Sequence, residues 1–306
     1  MDSVSPGLIL ASTEWKTHVH RFNHPAMATV FEIFIADADG EYARQAAREA
    51  FEELDRLEGE LSRFIPTSDI SRINQAPPGQ AVRIGLESFE CLSACARLYE
   101  KTFHTFDITL GRRIDEWKYP NSGSLPSAEW ISPEAGRPFP LELNAGDHTA
   151  RWTAGGLLLD LGGYGKGYAV DRMAERLRDW GLEAVLLHGG TSTVIAMLPP
   201  PGREGWPITL SDPQTGGVIR KTELRGRAVS GSGLGKGAHI LDPRTGRPVE
   251  RTRAAWAFAP GAAESDAHST AFMIMTPGEI QGFLTSHPDT EAVVLEVGDL
   301  KIRGGE

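Results

Sequence analysis

The sequence predicts an α+β fold, in which helices and strands interleave without the strict alternation of a doubly wound parallel sheet. Two observations carry this prediction. In several segments apolar residues recur at three- and four-residue steps, which indicates helices, whereas other segments are apolar and β-branched runs typical of strands. The chain has 306 residues, enough for one large domain or about two smaller ones. We read residues 1–20 as a variable N-terminal arm.

The first half of the chain supplies one strand and two long helices. Residues 27–35 are rich in β-branched and aromatic side chains, which predicts a strand. Residues 40–61 form a helix with a single apolar stripe, and residues 86–101 form a second helix. Residues 102–150 are interrupted by Gly and Pro, so we expect mainly loops there.

The middle of the chain reads as strand, glycine loop, helix and strand. The apolar run at 156–161 predicts a buried strand, and residues 162–167 form the loop that follows it. The next helix has Gly181 placed to end it, and residues 182–187 predict another strand.

The last third is predicted to be rich in strands through about residue 260. A helix over residues 262–275 follows. Thr276-Pro277-Gly278-Glu279 then resembles a capping box with proline at the first helical position. Residues 293–297 predict a closing strand.

Charge and composition exclude several classes of protein. With 31 Lys and Arg against 41 Asp and Glu, the net charge of −10 argues against general nucleic-acid binding. No run reaches the ~18 apolar residues of a transmembrane helix. The N-terminus lacks the basic and apolar regions of a secretory signal, so we expect a cytoplasmic protein, or an extracytoplasmic one if a leader has been removed. Cys91 and Cys95 lie one helical turn apart, which favours core packing over a disulfide.

The strongest local signal for chemistry is the glycine loop. Gly162, Gly163, Gly165 and Gly167 stand between a predicted strand and a predicted helix, with Lys166 among them. Glycines allow a ligand to approach the backbone, and a helix N-terminus offers N–H groups to an anion. The pattern favours a phosphate-bearing ligand, and the alternative is a tight turn with a solvated lysine. The loop lacks the Walker A pattern and the third glycine of the Rossmann fingerprint.

Two further segments carry candidate residues. His239 precedes the turn sequence Asp242-Pro243-Arg244-Thr245-Gly246, and a turn alone does not explain the histidine; a histidine with a purely structural role is the alternative. Asp266 and Thr270 are four residues apart, so a helix places both oxygens on one face, where they suit Mg²⁺. Helix capping or surface solvation is the alternative for this pair. His268 falls off that face, and we do not expect it to bind a metal.

Taken in order, six segments over roughly residues 22–300 resemble the FAD:protein FMN transferase family, the ApbE-like flavin transferases. The segments are Met27-Ala28-Thr29; Ser62-Arg63-Phe64 with the following S-x-I-x-x-I-N ending at Asn74; Phe106-Asp107 through Gly111 and Trp117; Leu159-Asp160-Leu161-Gly162-Gly163 with Lys166-Gly167-Tyr168-Ala169-Val170-Asp171; His239-Ile240-Leu241-Asp242-Pro243-Arg244-Thr245-Gly246; and Asp266 with Thr270-Ala271.

The resemblance implies a fold and an activity. The fold is a two-part α+β architecture related to the T-fold, with FAD in the cleft between the parts, so residues 21–306 would form one flavin transferase domain of two interleaved subdomains. The activity is Mg²⁺-dependent transfer of the FMN moiety of FAD to a Thr or Ser hydroxyl of an acceptor flavoprotein, with release of AMP.

The resemblance also implies roles for individual residues. Asp266, Thr270 and the backbone carbonyl of Gly165 would bind Mg²⁺, and Asp266 and His239 would act in catalysis, with His239 at the reacting phosphate as a base suited to neutral pH. The residues implied to bind or border FAD are Met27, Ser62, Asp107, Asp160, Gly162, Gly163, Lys166 and His239.

Two departures from the family pattern leave alternatives open. The family often has N-x-G-G-D where this chain has Leu187-His188-Gly189-Gly190-Thr191, and the stretch from Ser230-Gly231 to His239 is short and rich in glycine. A protein that binds or hydrolyses FAD without labelling an acceptor is therefore a second hypothesis. A nicotinamide-dependent oxidoreductase that uses the glycine loop is a third, and competition between NAD and FAD for binding would separate it from the others.

Overall fold

The computed structural model describes residues 9–11, 19–119, 138–234, 240–297 and 299–304. The helices are α1 (Gly40–Leu61), α2 (Asp69–Gln75), α3 (Leu86–Lys101), α4 (Gly111–Lys118), α5 (Gly165–Asp179), α6 (Ala262–Ile274) and α7 (Pro277–Ser286). The strands are β1 (Ile9–Ala11), β2 (Val19–Ala26), β3 (Thr29–Ala36), β4 (Val82–Arg83), β5 (Leu141–Asn144), β6 (Thr149–Trp152), β7 (Val185–Gly189), β8 (Thr193–Ala196), β9 (Trp206–Ser211), β10 (Val218–Leu224), β11 (Arg227–Gly233), β12 (Leu241–Asp242), β13 (Arg247–Pro248), β14 (Thr252–Ala259), β15 (Glu291–Glu296) and β16 (Asp299–Gly304).

A large antiparallel sheet forms the centre of the described structure. Its eight strands lie in the order β16-β15-β14-β11-β8-β7-β3-β2, and each neighbouring pair is antiparallel. Three smaller sheets accompany it, with the orders β1-β9-β10, β4-β6-β5 and β12-β13. The mixed α+β class predicted from the sequence is confirmed.

The central strands of the large sheet pack on both faces, and the side chains that alternate across each strand contribute to two separate cores. Ile33, Ile35 and Leu187 point to one face, where they pack with the apolar sides of α1, α5 and α6. Phe34 and Trp256 point to the other face, where they pack against the sheet β1-β9-β10. The helix layer therefore lies on one side of the large sheet, and this layer carries the candidate site.

Several local predictions are confirmed at the level of helix ends. Helices α1 and α3 have the predicted bounds. Helix α7 begins with the predicted capping box, in which Thr276 accepts from the backbone of Glu279 and the Glu279 side chain accepts from the backbone of Thr276. Gly181, at φ 69°, follows the end of α5, and Leu182 N donates to Leu177 O at 3.0 Å, which is the hydrogen-bond pattern of a Schellman motif.

The prediction of a buried strand at 156–161 is wrong. This segment joins no sheet, and its one β-type pairing is an isolated bridge between Leu158 and Leu110. Its backbone partners lie where the preceding loop leads into α4: Asp160 N donates to Ile108 O at 2.8 Å, and Gly111 N donates to Leu158 O at 2.9 Å. Leu159 and Leu161 are buried as the apolar run predicts, whereas Leu157 and Leu158 are half-buried, and an apolar run alone does not make a strand.

The segment 102–150 holds more regular structure than its loop-like sequence indicated. It contains α4, β5 and β6. The first strand prediction, 27–35, is shifted because Met27 and Ala28 form the turn between β2 and β3. Among the described residues, no helix combines the length and the apolar character needed to cross a membrane.

Candidate functional site

The glycine loop leads directly into the first turn of α5. Tyr164 N and Gly165 N both donate to Leu161 O, at 2.9 and 2.7 Å, and these bonds begin the helix. A Cβ atom on Gly163 would lie 3.0 Å from the Oγ1 atom of Thr270 on α6. The lack of a side chain at Gly163 therefore lets the loop lie against Thr270.

Helix α6 places a buried carboxylate at the same point. Asp266 Oδ2 accepts hydrogen bonds from Lys166 Nζ and from Gly167 N, each at 3.2 Å. The Asp266 side chain is only 3% exposed, and Lys166 Nζ also donates to Gly162 O at 3.1 Å. The loop and α6, about 100 residues apart in sequence, thus bring together a carboxylate, an ammonium group and a carbonyl.

The oxygen atoms at this point suit a small divalent cation. The described residues contain no group of three or more His, Cys, Asp or Glu side chains placed to hold a metal ion. Mg²⁺, however, takes few protein ligands and prefers oxygen, and Asp266 and Thr270 supply a carboxylate and a hydroxyl. The Lys166 ammonium already donates to Gly162 O and Asp266 Oδ2, so this site accepts positive charge. The donor set therefore fits Mg²⁺, and the Gly165 carbonyl as third ligand stays a prediction.

Asp160 is fixed next to the loop by Arg63. Asp160 Oδ1 accepts from Gly162 N at 2.8 Å, and Asp160 Oδ2 lies 3.0 Å from Arg63 Nε. The other two guanidinium nitrogens of Arg63 donate to the carboxylate of Asp115 on α4, at 2.8 and 2.6 Å. These hydrogen bonds hold the pKa of Asp115 below its usual value. Arg63 therefore joins the end of α1 to the glycine loop and to α4.

Asp107 lies in the loop that pairs with the segment before the glycines. Its Oδ1 atom accepts from Thr109 N and Thr109 Oγ1, at 2.8 and 2.7 Å, which closes a tight turn. The neighbouring Ile108 O accepts from Asp160 N at 2.8 Å. Asp107 is thus next to a residue that pairs with Asp160.

Met27, in the turn between β2 and β3, and Ser62, which follows α1, both lie at the end of α1 rather than in the glycine loop. Met27 N donates to Glu58 Oε1 at 2.8 Å, and Met27 and Ala28 have φ values of 49° and 57°. Such left-handed conformations are uncommon for residues other than glycine. Ser62 ends α1 directly before Arg63. Their role in binding FAD stays a prediction.

The two histidines of the candidate segments differ. His239 lies in 235–239, outside the described residues. His268 is buried, and its ring packs against those of Phe272 and Phe283. Burial, with the nearby His287 and Lys101, lowers the pKa of His268 to about 3. His268 is therefore a neutral core residue, turned away from Asp266 and Thr270 as expected.

Three residues near the site received no role from the sequence. Asn74 accepts from Leu159 N at 2.7 Å and donates to Leu159 O at 3.1 Å, and so holds the segment before the loop. Ser232 Oγ lies 3.1 Å from Thr270 Oγ1. Asp171 accepts from the first two N–H groups of α6. Asn74 and Asp171 are the last residues of two of the quoted motifs, which was the available signal.

The glycine loop does not occupy the setting of a dinucleotide-binding fold. That fold needs the loop to follow a strand of a parallel sheet. Here residues 156–161 join no sheet, and the large sheet is antiparallel throughout its described strands. The structure therefore argues against the nicotinamide hypothesis.

Comparison with known proteins gives one consistent result. The model of the ApbE family matches residues 27–294. The FAD:protein FMN transferase of Klebsiella pneumoniae is 23% identical over 274 residues, which cover 83% of this chain and 78% of the relative. The Escherichia coli K12 protein of the same name is 23% identical over 283 residues, covering 85% and 80%.

Solved structures share the fold. The ApbE protein of Thermotoga maritima superposes with a TM-score of 0.81 at 24% identity, over 94% of this chain and 97% of that one. The flavin transferase ApbE of Vibrio cholerae gives 0.80 at 20% identity, over 93% and 96%.

Proposed function

The chain belongs to the ApbE family, and from this premise we propose that it is a Mg²⁺-dependent FAD:protein FMN transferase. Its acceptor would be a Thr or Ser hydroxyl of a flavoprotein, and its second product AMP. The observation that carries the proposal is the contact of the buried Asp266 carboxylate with Lys166 and Gly167 at the N-terminus of α5. A pyrophosphate bound at this helix N-terminus would meet the positive charge of Lys166. The Asp266 oxygens beside it would hold the Mg²⁺ that a pyrophosphate also requires.

The reaction exchanges one P–O bond for another. The acceptor oxygen attacks the phosphorus on the FMN side of the pyrophosphate, the bond from that phosphorus to the bridging oxygen breaks, and AMP leaves with that oxygen. The hydroxyl proton must be removed, which we assign to His239. Mg²⁺, held by Asp266, Thr270 and the Gly165 carbonyl, would neutralise charge on the phosphoryl oxygens.

The chain's own residues orient the substrate and supply charge. Lys166, whose side chain is 22% exposed, would supply positive charge to a phosphoryl oxygen bound at the glycine loop. Arg63 and Asp160 hold the glycine loop in position, with Asp107 beside them. Because no covalent enzyme intermediate is required, positioning and charge account for most of the rate.

One observation favours a second candidate function. Leu187, at the place where the family pattern often has Asn, is fully buried on the helix-facing side of the large sheet. It offers no polar contact to a flavin or an acceptor. A chain that binds FAD, or hydrolyses it to FMN and AMP, would fit this departure.

Mass spectrometry of a candidate acceptor flavoprotein, incubated with this chain, FAD and Mg²⁺, tests the proposal. We expect the acceptor to gain the mass of one FMN group on a Thr or Ser, with an equal amount of AMP. The Asp266→Asn variant, and the parent with EDTA, should produce neither. FMN and AMP with an unmodified acceptor would favour hydrolysis, and bound FAD without either product would favour a binding protein.

A further inference from the structure

The N-terminus of α6 is capped by a residue of a different helix. The residue before α6, Gly261, has no side chain to accept its first N–H groups. Asp171 on α5 accepts from them instead: Asp171 Oδ1 lies 2.7 Å from Ala262 N, and Asp171 Oδ2 lies 2.8 Å from Ala263 N. Both carboxylate oxygens are thus used to join α5 to α6, and the negative charge lies at the positive end of the α6 dipole.

The same face of α5 makes a second connection to α6 one turn earlier. Gly167 is four residues before Asp171, so both lie on one side of the helix. A Cβ atom at Gly167 would lie 2.2 Å from Ala262 O, which shows how closely the two helices approach. Gly167 N donates to Asp266 Oδ2 at 3.2 Å. The Asp171 cap therefore fixes the start of α6 at the point from which Asp266 extends toward the loop.

We infer that Asp171 is a positioning residue. It sets how far Asp266 and Thr270, both on α6, lie from the glycine loop that leads into α5. This inference rests on the proposed function for its catalytic meaning, but its structural part stands on the contacts above. Without the carboxylate, the first turn of α6 has two N–H groups with no side-chain acceptor, and α6 can move away from Gly167. A displacement of about 1 Å at metal ligands is enough to impair a site of this kind.

The Asp171 carboxylate is buried but stays ionised at neutral pH. Loss of solvent raises the pKa of Asp171 from 3.8 to about 6, while the two backbone hydrogen bonds oppose the rise. The group is therefore ionised near pH 7 and accepts with both oxygens. The cost of burying a charge is consistent with a carboxylate retained for its geometry.

Hydrogen exchange tests the inference directly, and it needs neither metal nor FAD. In Asp171→Ala, the Gly167 amide and the first turns of α6 should exchange about tenfold faster or more than in the parent. Asp171→Asn, which keeps one acceptor oxygen, should fall between the two. Thr276→Ala is the matched control, because it removes the cap of α7, a helix without candidate site residues, and should leave exchange at Gly167 unchanged.

A second measurement connects the helix contact to the site. Mn²⁺ binding in the presence of FAD, followed by electron paramagnetic resonance, should weaken about 10- to 100-fold in Asp171→Ala and less than about twofold in Thr276→Ala. If exchange at Gly167 is the same in Asp171→Ala as in the parent, or rises equally in Thr276→Ala, the positioning role is wrong. Failure of the parent to transfer FMN would instead contradict the proposed function, since the exchange result does not depend on transfer.

Discussion

At the scale of single residues, the hydroxyl groups around Thr270 show how this proposed metal ligand is oriented. Ser269 Oγ donates to Asp266 O at 2.9 Å, and Thr270 Oγ1 donates to the same carbonyl at 3.3 Å. Ser232 Oγ lies 2.9 Å from Ser269 Oγ and 3.1 Å from Thr270 Oγ1. With both helix hydroxyl protons directed at Asp266 O, the Ser232 hydroxyl can donate to Ser269 or to Thr270, and in either case at least one lone pair of Thr270 Oγ1 is left without a partner among these groups.

Ser232→Ala should therefore weaken metal activation while leaving FAD binding nearly unchanged. Without the Ser232 hydroxyl, Thr270 is held less firmly in its orientation. Removing a group that hydrogen-bonds a metal ligand typically lowers the affinity for the metal about tenfold or more. We expect the Mg²⁺ concentration for half-maximal FMN transfer to rise about tenfold, with the KM for FAD within about twofold of the parent. Equal changes in both constants would place Ser232 in contact with FAD instead.

His239→Ala should lower kcat strongly, by about 100-fold or more, because a positioned general base contributes about that much. The dissociation constant for FAD, measured by flavin fluorescence, should change little. An equal loss of affinity would indicate that His239 binds the phosphates. The residue lies outside the described part of the chain, so this prediction rests on its motif alone.

The residue scale also shows what the sequence could and could not reveal. Spacing of four placed Asp266 and Thr270 on one face of a helix, and the helix is there. Spacing could not reveal that Asp171 caps α6 or that Arg63 pairs with Asp160, since each contact joins parts of the chain 90 or more residues apart. Side-chain hydrogen bonds over such separations leave no local periodicity to read.

At the scale of elements, the segment before the glycine loop is held by other elements rather than by a sheet. Asn74 at the end of α2 bonds the backbone of Leu159 twice, as a neighbouring strand would. Arg63 reaches Asp160 from the end of α1. The sequence predicted a strand because the run is apolar, and it could not show that side chains would take the place of strand partners. Helices were predicted more accurately, because their signals, such as the apolar stripe of α1, lie within the helix itself.

Gly167→Ala tests the close contact of α5 and α6. The added Cβ would meet Ala262 O at 2.2 Å and Ala263 Cα at 2.8 Å, which are backbone atoms that cannot turn away. We expect the free energy of unfolding to fall by about 1–3 kcal/mol, as in other overpacked sites, and metal-dependent transfer to fall with it.

The matched control for Gly167→Ala is Gly59→Ala, in the last turn of α1. No atom lies within 4 Å of a Cβ at Gly59. Alanine there should stabilise the protein by about 0.5–1 kcal/mol, because it is the better helix former. Denaturant unfolding of both variants gives the comparison, and stabilisation of both would show that α5 and α6 can separate without cost.

At the scale of the whole molecule, the large sheet separates two environments. Its helix-facing side carries α5 and α6, and with them the candidate site. Its other side is closed by the sheet β1-β9-β10 and contains His188, whose ring meets Phe34. The α+β class followed from the mixture of helical and strand patterns, but the antiparallel order of eight strands did not. That order depends on pairings between distant segments, such as β3 with β7.

Three buried ionisable groups act on stability in opposite directions as the pH changes. Burial lowers the pKa of His188 to about 4 and that of His268 to about 3, from 6.5. Below pH 6.5 the unfolded chain binds protons at these histidines that the folded chain does not, so their contribution to stability is lost as the pH falls. For Asp171 the folded pKa is the higher, about 6 against 3.8, so its contribution is fully present below about pH 4 and is lost as the pH rises through 6.

The folded protein should consequently lose stability between pH 6.5 and 4, because two histidines outweigh one aspartate. Asp171→Asn removes the opposing contribution, and its free energy of unfolding should fall more steeply with acidification than that of the parent. Between pH 6.5 and 4, the difference in the free energy of unfolding between parent and variant should change by roughly 2–3 kcal/mol. This amount corresponds to the change in the pKa of Asp171 on folding. Glu175 and Arg172 also face this carboxylate, and they remain in both proteins, so their effects largely cancel. Urea unfolding of parent and variant at half-unit steps of pH measures the difference, and parallel curves would mean that Asp171 keeps its ordinary pKa in the fold.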